Sequence, residues 1–184
     1  GTLGYTHCCI EDISVMRSIP GITVISPADC GATAKALVAA MSNDRSTYIR
    51  LTGGQKNPMV YLEDFEFEIG KAIWIREGND IAIVATGTMV YEALNAAQIL
   101  EEKYGISAAV VDMHTIKPID CELITSLCEN FDLIVTVEEH SVVGGLGSAV
   151  AEVKTTLVGA PPQLTLGIPD RYSYGGEYRD LLES

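Results

Sequence analysis

The sequence predicts an α/β fold on a mostly parallel sheet, from three observations. Strand and helix patterns alternate through residues 81–168, the order that yields parallel strands covered by helices. The run IAIVA at residues 81–85 is apolar throughout, as a strand buried on both faces tends to be. Residues 10–51 read helix, strand, helix, strand, which predicts parallel pairing in a smaller first unit.

In chain order, residues 10–19 place Ile13, Met16 and Arg17 one turn apart. Glu11 and Asp12 fall in the first turn, where the positive end of the helix dipole favours carboxylates. Pro20 and Gly21 stop this helix, and residues 22–26 read as a short β-branched strand. Asp29 is placed to cap the next helix, residues 33–41, whose TAKALVAAM is strongly helical. Residues 48–51 are a strand, and TGGQKNP at residues 52–58 has the chemistry of a linker. Residues 65–75 alternate through Ile69, Ala72 and Trp74 as one or two strands before the turn EGND.

After the strand at 81–85, Thr86-Gly87-Thr88 opens a helix over residues 89–103. Val90, Ala93, Leu94, Ala97 and Leu100 follow its period on one side, with Glu92, Asn95, Gln98 and Glu102 on the other. Tyr104-Gly105 ends it. Residues 108–111, 133–137 and 164–168 are predicted as the remaining strands, with helices at 121–129 and 145–158.

At 184 residues, 47% of them hydrophobic, the chain can bury a core as one large domain or as a domain with part of another. It carries 12 basic and 25 acidic residues, a formal net charge of -13. Such a surface repels nucleic acid and anionic membrane, so neither is expected as a partner. The charge is uneven: four acids and five bases run through Val60, against twenty-one acids and seven bases from Tyr61 onward. That shift predicts two units, 1–60 and 61–184. Five cysteines, at 8, 9, 30, 121 and 128, lack the spacing of a disulfide framework or a zinc site. They read as reduced thiols of a cytoplasmic protein. No apolar run reaches the length of a membrane span, and the opening GTLGYTH reads as the interior of a longer polypeptide.

Several stretches could carry chemistry. Gly144-Gly145-Leu146-Gly147 follows a strand and opens a helix, as phosphate cradles do. It lacks the third glycine of a dinucleotide loop, since Val150 stands there, and the basic residue of a P-loop. We read it as a close-packed helix start. Glu138, Glu139 and His140 could form an acid/base set, but a charged strand end reads first as a solvated rim. His114, in DMHTIKPID, stands at a predicted carboxyl strand end and reads as a satisfied loop histidine. His7 follows Gly4 and Thr6 in a turn that can aim it at a substrate oxygen.

The run GYTHCCIEDISVMRSIPGITVISPAD resembles the transketolase pattern of Gly, Thr-His, Ile-Glu, a helix with Arg, and a Pro-Ala-Asp turn. GNDIAIVATGTMVYEAL, MHTIKPID, VEEHSVVGGLGSAVAE and GIPDRYSYGGEYRDLL are similar to the C-terminal domain of the same superfamily. Deoxyxylulose-phosphate synthase and the β subunits of 2-oxo acid dehydrogenases are more distant relatives. The resemblance implies that residues 1–60 are the trailing, incomplete part of a pyrimidine-binding domain and residues 61–184 a transketolase C-terminal domain.

It further implies a thiamine diphosphate enzyme that moves a two-carbon ketol unit between sugars. His7 corresponds to the histidine that contacts the donor sugar's oxygen, with Thr6 and Gly4 shaping its loop. The ligands of thiamine diphosphate and Mg would lie before residue 1 or on a separate N-terminal transketolase half. That half is then the expected partner, a homodimer the expected assembly, and the chain alone is expected to be inactive. Two positions depart from the family. Leu3 stands where the family has a sugar-binding aspartate, and Gly53 near its phosphate-gripping arginine, Arg50 falling too early. Losing a bidentate grip puts a phosphorylated pentose in question. The opposed expectation is a non-catalytic docking module of the kind found in 2-oxo acid dehydrogenase β subunits, or a deoxyxylulose-phosphate-synthase-like enzyme.

Overall fold

The computed structural model describes residues 9–52 and 57–171. Its elements are α1 (Asp12–Ser18), β1 (Thr23–Ile25), α2 (Cys30–Met41), β2 (Thr47–Ile49), β3 (Ile73–Arg76), β4 (Ile81–Ala85) and α3 (Met89–Tyr104). They continue with β5 (Ala108–Asp112), β6 (Thr115–Lys117), α4 (Cys121–Asn130), β7 (Ile134–Ser141), α5 (Leu146–Lys154) and β8 (Gln163–Ile168).

The larger sheet has the order β3-β5-β4-β7-β8. β4, β5, β7 and β8 are parallel, and β3 joins β5 antiparallel. The wholly apolar β4 takes the centre. Ile83 and Ala85 pack under Val90, Ala93 and Ala97 of α3. Ala82 and Val84 point the other way, to Ile124 and Leu127 of α4 and Leu146 and Val150 of α5. Period-two alternation thus gives each face its own helices. Burying these two clusters contributes most of what holds this unit together, at roughly 25 cal/mol per Å² of apolar surface.

Helix ends follow local chemistry. Asp29 caps α2 by accepting from Ala32 N at 2.8 Å, in agreement with the sequence, and Asp120 caps α4 by accepting from Leu123 N at 3.0 Å. Gly105, at φ 66°, closes α3 in the left-handed region. Several predicted elements are shorter than expected. The 145–158 helix ends at Lys154, and within 65–75 strand geometry begins only at Ile73.

The smaller sheet has the order β2-β1-β6. β1 and β2 are parallel, as the helix-strand alternation predicts. β6 pairs antiparallel with β1 and has no counterpart among the predicted strands. Its three residues directly follow His114, so the smaller sheet is completed by chain that belongs in sequence to the larger unit.

Candidate functional site

The carboxyl ends of β4 and β7 form the switch point of the larger sheet, since the chain leaves β4 toward β5 on one side and reaches β7 on the other. In open α/β sheets ligands bind in the crevice outside such a point. Here the chain itself fills it. Ser26, at the end of β1, accepts from Gly87 N at 3.1 Å and donates its own N–H to His114 O at 2.8 Å. A Cβ on Gly87 would lie 2.7 Å from Ser26 Oγ, so this approach requires glycine. Thr88 Oγ1 donates to Glu139 Oε2 at 2.9 Å on the β7 side.

Arg50 follows β2 and ties the two units together. Its Nε donates to Asp12 Oδ2 at 3.1 Å and its Nη2 to Glu139 O at 2.9 Å. Tyr48 completes the group by donating to Asp12 Oδ2 at 2.9 Å. Burial, reinforced by that carboxylate, pushes the Tyr48 hydroxyl up to about 12. The guanidinium is engaged on the start of α1 and the end of β7, in keeping with the sequence position that puts it too early for a phosphate grip.

The glycine turn before α5 is closed as an anion site by Glu138. Its oxygens accept from Leu146 N at 2.6 Å and Gly147 N at 2.8 Å. The amides that would cradle a phosphate are therefore satisfied by a carboxylate of the same fold. Burial pushes the Glu138 carboxyl up, and these two amides oppose that push. A Cβ on Gly145 would lie 1.9 Å from Glu138 Oε2, so packing demands the glycine, as expected for a close-packed helix start.

The solvated-rim expectation for residues 138–140 is wrong. β7 continues through Ser141, and Glu138 and His140 are 2% and 0% exposed. Strand period two places Thr136, Glu138 and His140 on one inward face, toward α5. That period, carried past Val137 into the charged residues, is the signal in the sequence that would have found them.

His114 also departs from expectation. It is fully buried, stacked on Phe67 at 4.0 Å, with Nδ1 2.9 Å from Thr115 Oγ1. Its Nε2 has no hydrogen-bond partner among the described residues, so it is only half satisfied. Burial pushes its pKa down to about 4. Two residues earlier, Asp112 accepts from Tyr61 OH at 2.7 Å, while its Oδ1 is likewise unpartnered among the described residues. Burial raises this carboxyl to about 7.

Gly4, Thr6 and His7 lie outside the described residues. The described chain begins at Cys9, and its next residues are held by the larger unit. Ser141 N donates to Ile10 O at 2.8 Å, and Ser14 N donates to His140 Nε2 at 3.3 Å. Among the described residues there is no cluster of three His, Cys, Asp or Glu able to hold a metal, and no helix long and apolar enough to cross a membrane. The four described cysteines are free.

Two family models match the chain: "Transketolase, pyrimidine binding domain" over residues 1–56 and "Transketolase, C-terminal domain" over residues 70–183. The chain is 41% identical to an apulose-4-phosphate transketolase subunit of Phocaeicola vulgatus, over 98% of this chain and 57% of that protein. It is 45% identical to the 6-deoxy-6-sulfo-D-fructose transketolase subunit SqwH of a Clostridium species, over 81% of this chain and 46% of that one. A solved structure described as a split gene transketolase, inactive beta4 tetramer, superimposes with a TM-score of 0.83 at 42% identity, covering 90% of this chain and 54% of its own. The chain spans about half the length of these relatives. With both domain models matched in order, and with the switch-point crevice filled by the first unit, the chain belongs to the transketolase family and corresponds to the C-terminal part of such an enzyme.

Proposed function

We propose that this chain is the C-terminal portion of a two-part transketolase, transferring a two-carbon ketol unit between sugars once an N-terminal half is present. The observation that carries this reading is the anchoring of the segment just after His7. Ile10, Asp12 and Ser14 are each bonded to, or through Arg50 to, the end of β7. A histidine loop fixed at its exit to a rigid sheet is what precise aim at a substrate oxygen requires.

On this reading residues 1–60 complete the pyrimidine-binding domain of the assembly and residues 61–184 act as its platform. His7 contacts the donor sugar's oxygen, and Thr6 and Gly4 shape its loop. The described residues do not fit thiamine diphosphate or Mg. The glycine turn before α5 that has the shape of a phosphate cradle is filled by Glu138, and no cluster of three His, Cys, Asp or Glu able to hold a metal occurs among the described residues. Those ligands belong to the partner half, and no step is derived through them. The chain alone is inactive, and the working form is a cytoplasmic dimer of two-part units. The two subunit relatives bear names of a phosphorylated and a sulfonated sugar, which supports an anionic sugar as the substrate class.

The test mixes the chain with an N-terminal transketolase half, thiamine diphosphate and Mg, and measures ketol transfer. Transfer is expected only with both halves. His7→Ala is expected to lower kcat by about 100-fold, the lower range for a positioned proton-transfer group. Transfer undiminished by the substitution overturns the role of His7, and no transfer with any N-terminal half favours the docking module.

A further inference from the structure

The flank of α5 beside the edge strand β8 carries a groove that ketol transfer does not use. α5 packs on α4 through Leu146 and Val150. Gly147, Ser148, Ala151 and Thr155 recur at three- and four-residue spacing on the next flank and line a groove of about 440 Å³. Gln163 and Thr165 of β8, with Pro161 before it, line the same groove. That volume is in the range of small-molecule sites.

Lys154, in the last turn of α5, also lines the groove. A lysine at that position is ordinarily a solvated cation at the negative end of the helix dipole. Lys154 is instead only 9% exposed, and among the described residues its amine has neither an ion-pair nor a hydrogen-bond partner. The Cys128 thiol of α4 acts on it from the neighbouring helix and is itself pushed up by burial. Burial pushes the Lys154 pKa down. In a chain of 25 acidic and 12 basic residues, the fold thus withdraws this cation from water without setting a carboxylate against it.

The uncharged groups of the groove define what else a ligand must carry. Gln163 commits its amide hydrogens to Gly147 O at 2.8 Å and Thr165 Oγ1 at 3.2 Å, while its Oε1 is buried with no partner among the described residues. Thr155 donates its hydroxyl hydrogen to Glu152 O at 2.7 Å, so toward a ligand it can only accept. Ser148 Oγ accepts from Gly144 N at 2.8 Å and keeps its own hydrogen to donate. An ammonium calls for an anionic group, and acceptors mixed with a hydroxyl donor call for hydroxyl groups. Ala151 and Pro161 supply apolar surface for the carbon chain between them.

We propose that this groove is a binding site for a short hydroxylated carbon chain bearing one phosphate or carboxylate, with Lys154 holding the anionic group. The site stands on these residues and does not depend on the role of His7.

The test is an NMR titration of the isotope-labelled chain, following the amides of Ser148, Ala151, Thr155 and Thr165 with Val84 in β4 as the reference. The probes are glycerol 3-phosphate, glycerate, inorganic phosphate and glycerol. Saturable shifts confined to the groove are expected with glycerol 3-phosphate or glycerate, at a Kd of about 1 mM or tighter. The tighter of the two identifies the anionic group. Glycerol, which lacks the charge, and inorganic phosphate, which lacks the carbon chain, should bind at least about 10-fold more weakly. Lys154→Met keeps an unbranched side chain without the charge, and should weaken the better probe at least about 10-fold, the effect of losing one charge-assisted hydrogen bond. Ala151→Glu sets a carboxylate in the groove at a half-buried position, leaves Lys154 in place, and should weaken it as much even if the methionine variant does not fold. The site is overturned by any of three results: no saturable shift with either anionic polyol, inorganic phosphate as tight as glycerol 3-phosphate, or an affinity that the folded variants leave unchanged.

Discussion

The two sheets are made of the same kinds of element, yet they are finished differently. The larger has α3 on one face and α4 and α5 on the other, with its central strands buried between them. The smaller has its own small core of Ile13, Val24, Ile116 and Ala149, while α2 shows Leu37, Val38 and Met41 at 53%, 66% and 88% exposed. Two of the four residues in that small core, Ile116 and Ala149, come from the larger unit. The larger unit thus supports itself, and the smaller is held by the larger and turns an apolar helix face outward. A platform and a unit presented to a partner would differ in this way.

The largest effect that can sharpen this contrast concerns the closed crevice between the units. Asp112, raised to about 7, keeps a proton in the folded state that the unfolded chain releases near its ordinary value of about 4. Stability contributed by that group is present below about 4 and is lost as pH rises to about 7. His114, lowered to about 4, runs the other way: its contribution is present above about 6.5 and is lost as pH falls toward 4. In the wild type the two slopes oppose each other. Asp112→Asn keeps an acceptor for Tyr61 OH and removes the titration. The variant should be more stable than the wild type at pH 8, by at most about 4 kcal/mol for a shift of about three units. Urea midpoints measured from pH 4 to 8 decide it. Identical pH dependence in variant and wild type would mean that water reaches the crevice and that the units are not sealed together.

A smaller but still severe effect is expected at the glycine turn before α5. Gly145→Ala places a methyl group 1.9 Å from Glu138 Oε2 and 2.7 Å from His140 Nδ1, both fully packed. Overpacking of this kind costs about 3 kcal/mol. The loss should appear in the urea midpoint together with faster hydrogen exchange of the Ser14 amide, because the added methyl group presses on His140, whose Nε2 accepts from Ser14 N. A loss under about 1 kcal/mol would show that β7 and α5 can separate freely, and the platform would be softer than the larger sheet implies.

The strands of the larger sheet are legible in the sequence because local pattern and final burial agree. IAIVA is apolar at every position and becomes the central strand, and the period of α3 matches the residues it buries. The cap at Asp29 is legible because it depends on one side chain and the turn beside it. β6 is not, since Thr115–Lys117 is a strand only by pairing with β1, far away in sequence. Nor are the buried charges of β7. Glu138 and His140 look like solvent-facing residues until the amides of α5 and of Ser14, which satisfy them, are brought into place by the fold. Arg50 reads in the sequence only as an arginine too early for a phosphate grip, and its role as a tie is not legible there because its partners come from α1 and from β7.

The smallest effect is the one that tests the exposed face. Leu37 and Val38 lie on α2 away from its buried residues Ala32 and Ala36. Replacing each with Ser removes apolar area that water already reaches, so the stability of the chain should change by no more than about 0.5 kcal/mol. Emptying a buried leucine such as Leu127 typically costs about 2–5 kcal/mol. If the face is where a partner docks, the same double substitution, silent in the chain alone, weakens assembly with the N-terminal half by roughly tenfold or more, because exposed apolar side chains give their energy only when a partner covers them. Titration of the two halves against each other, wild type beside Leu37→Ser/Val38→Ser, separates the cases. A large loss of stability in the isolated chain would mean that α2 is packed in solution, and the distinction between platform and presented unit would not hold.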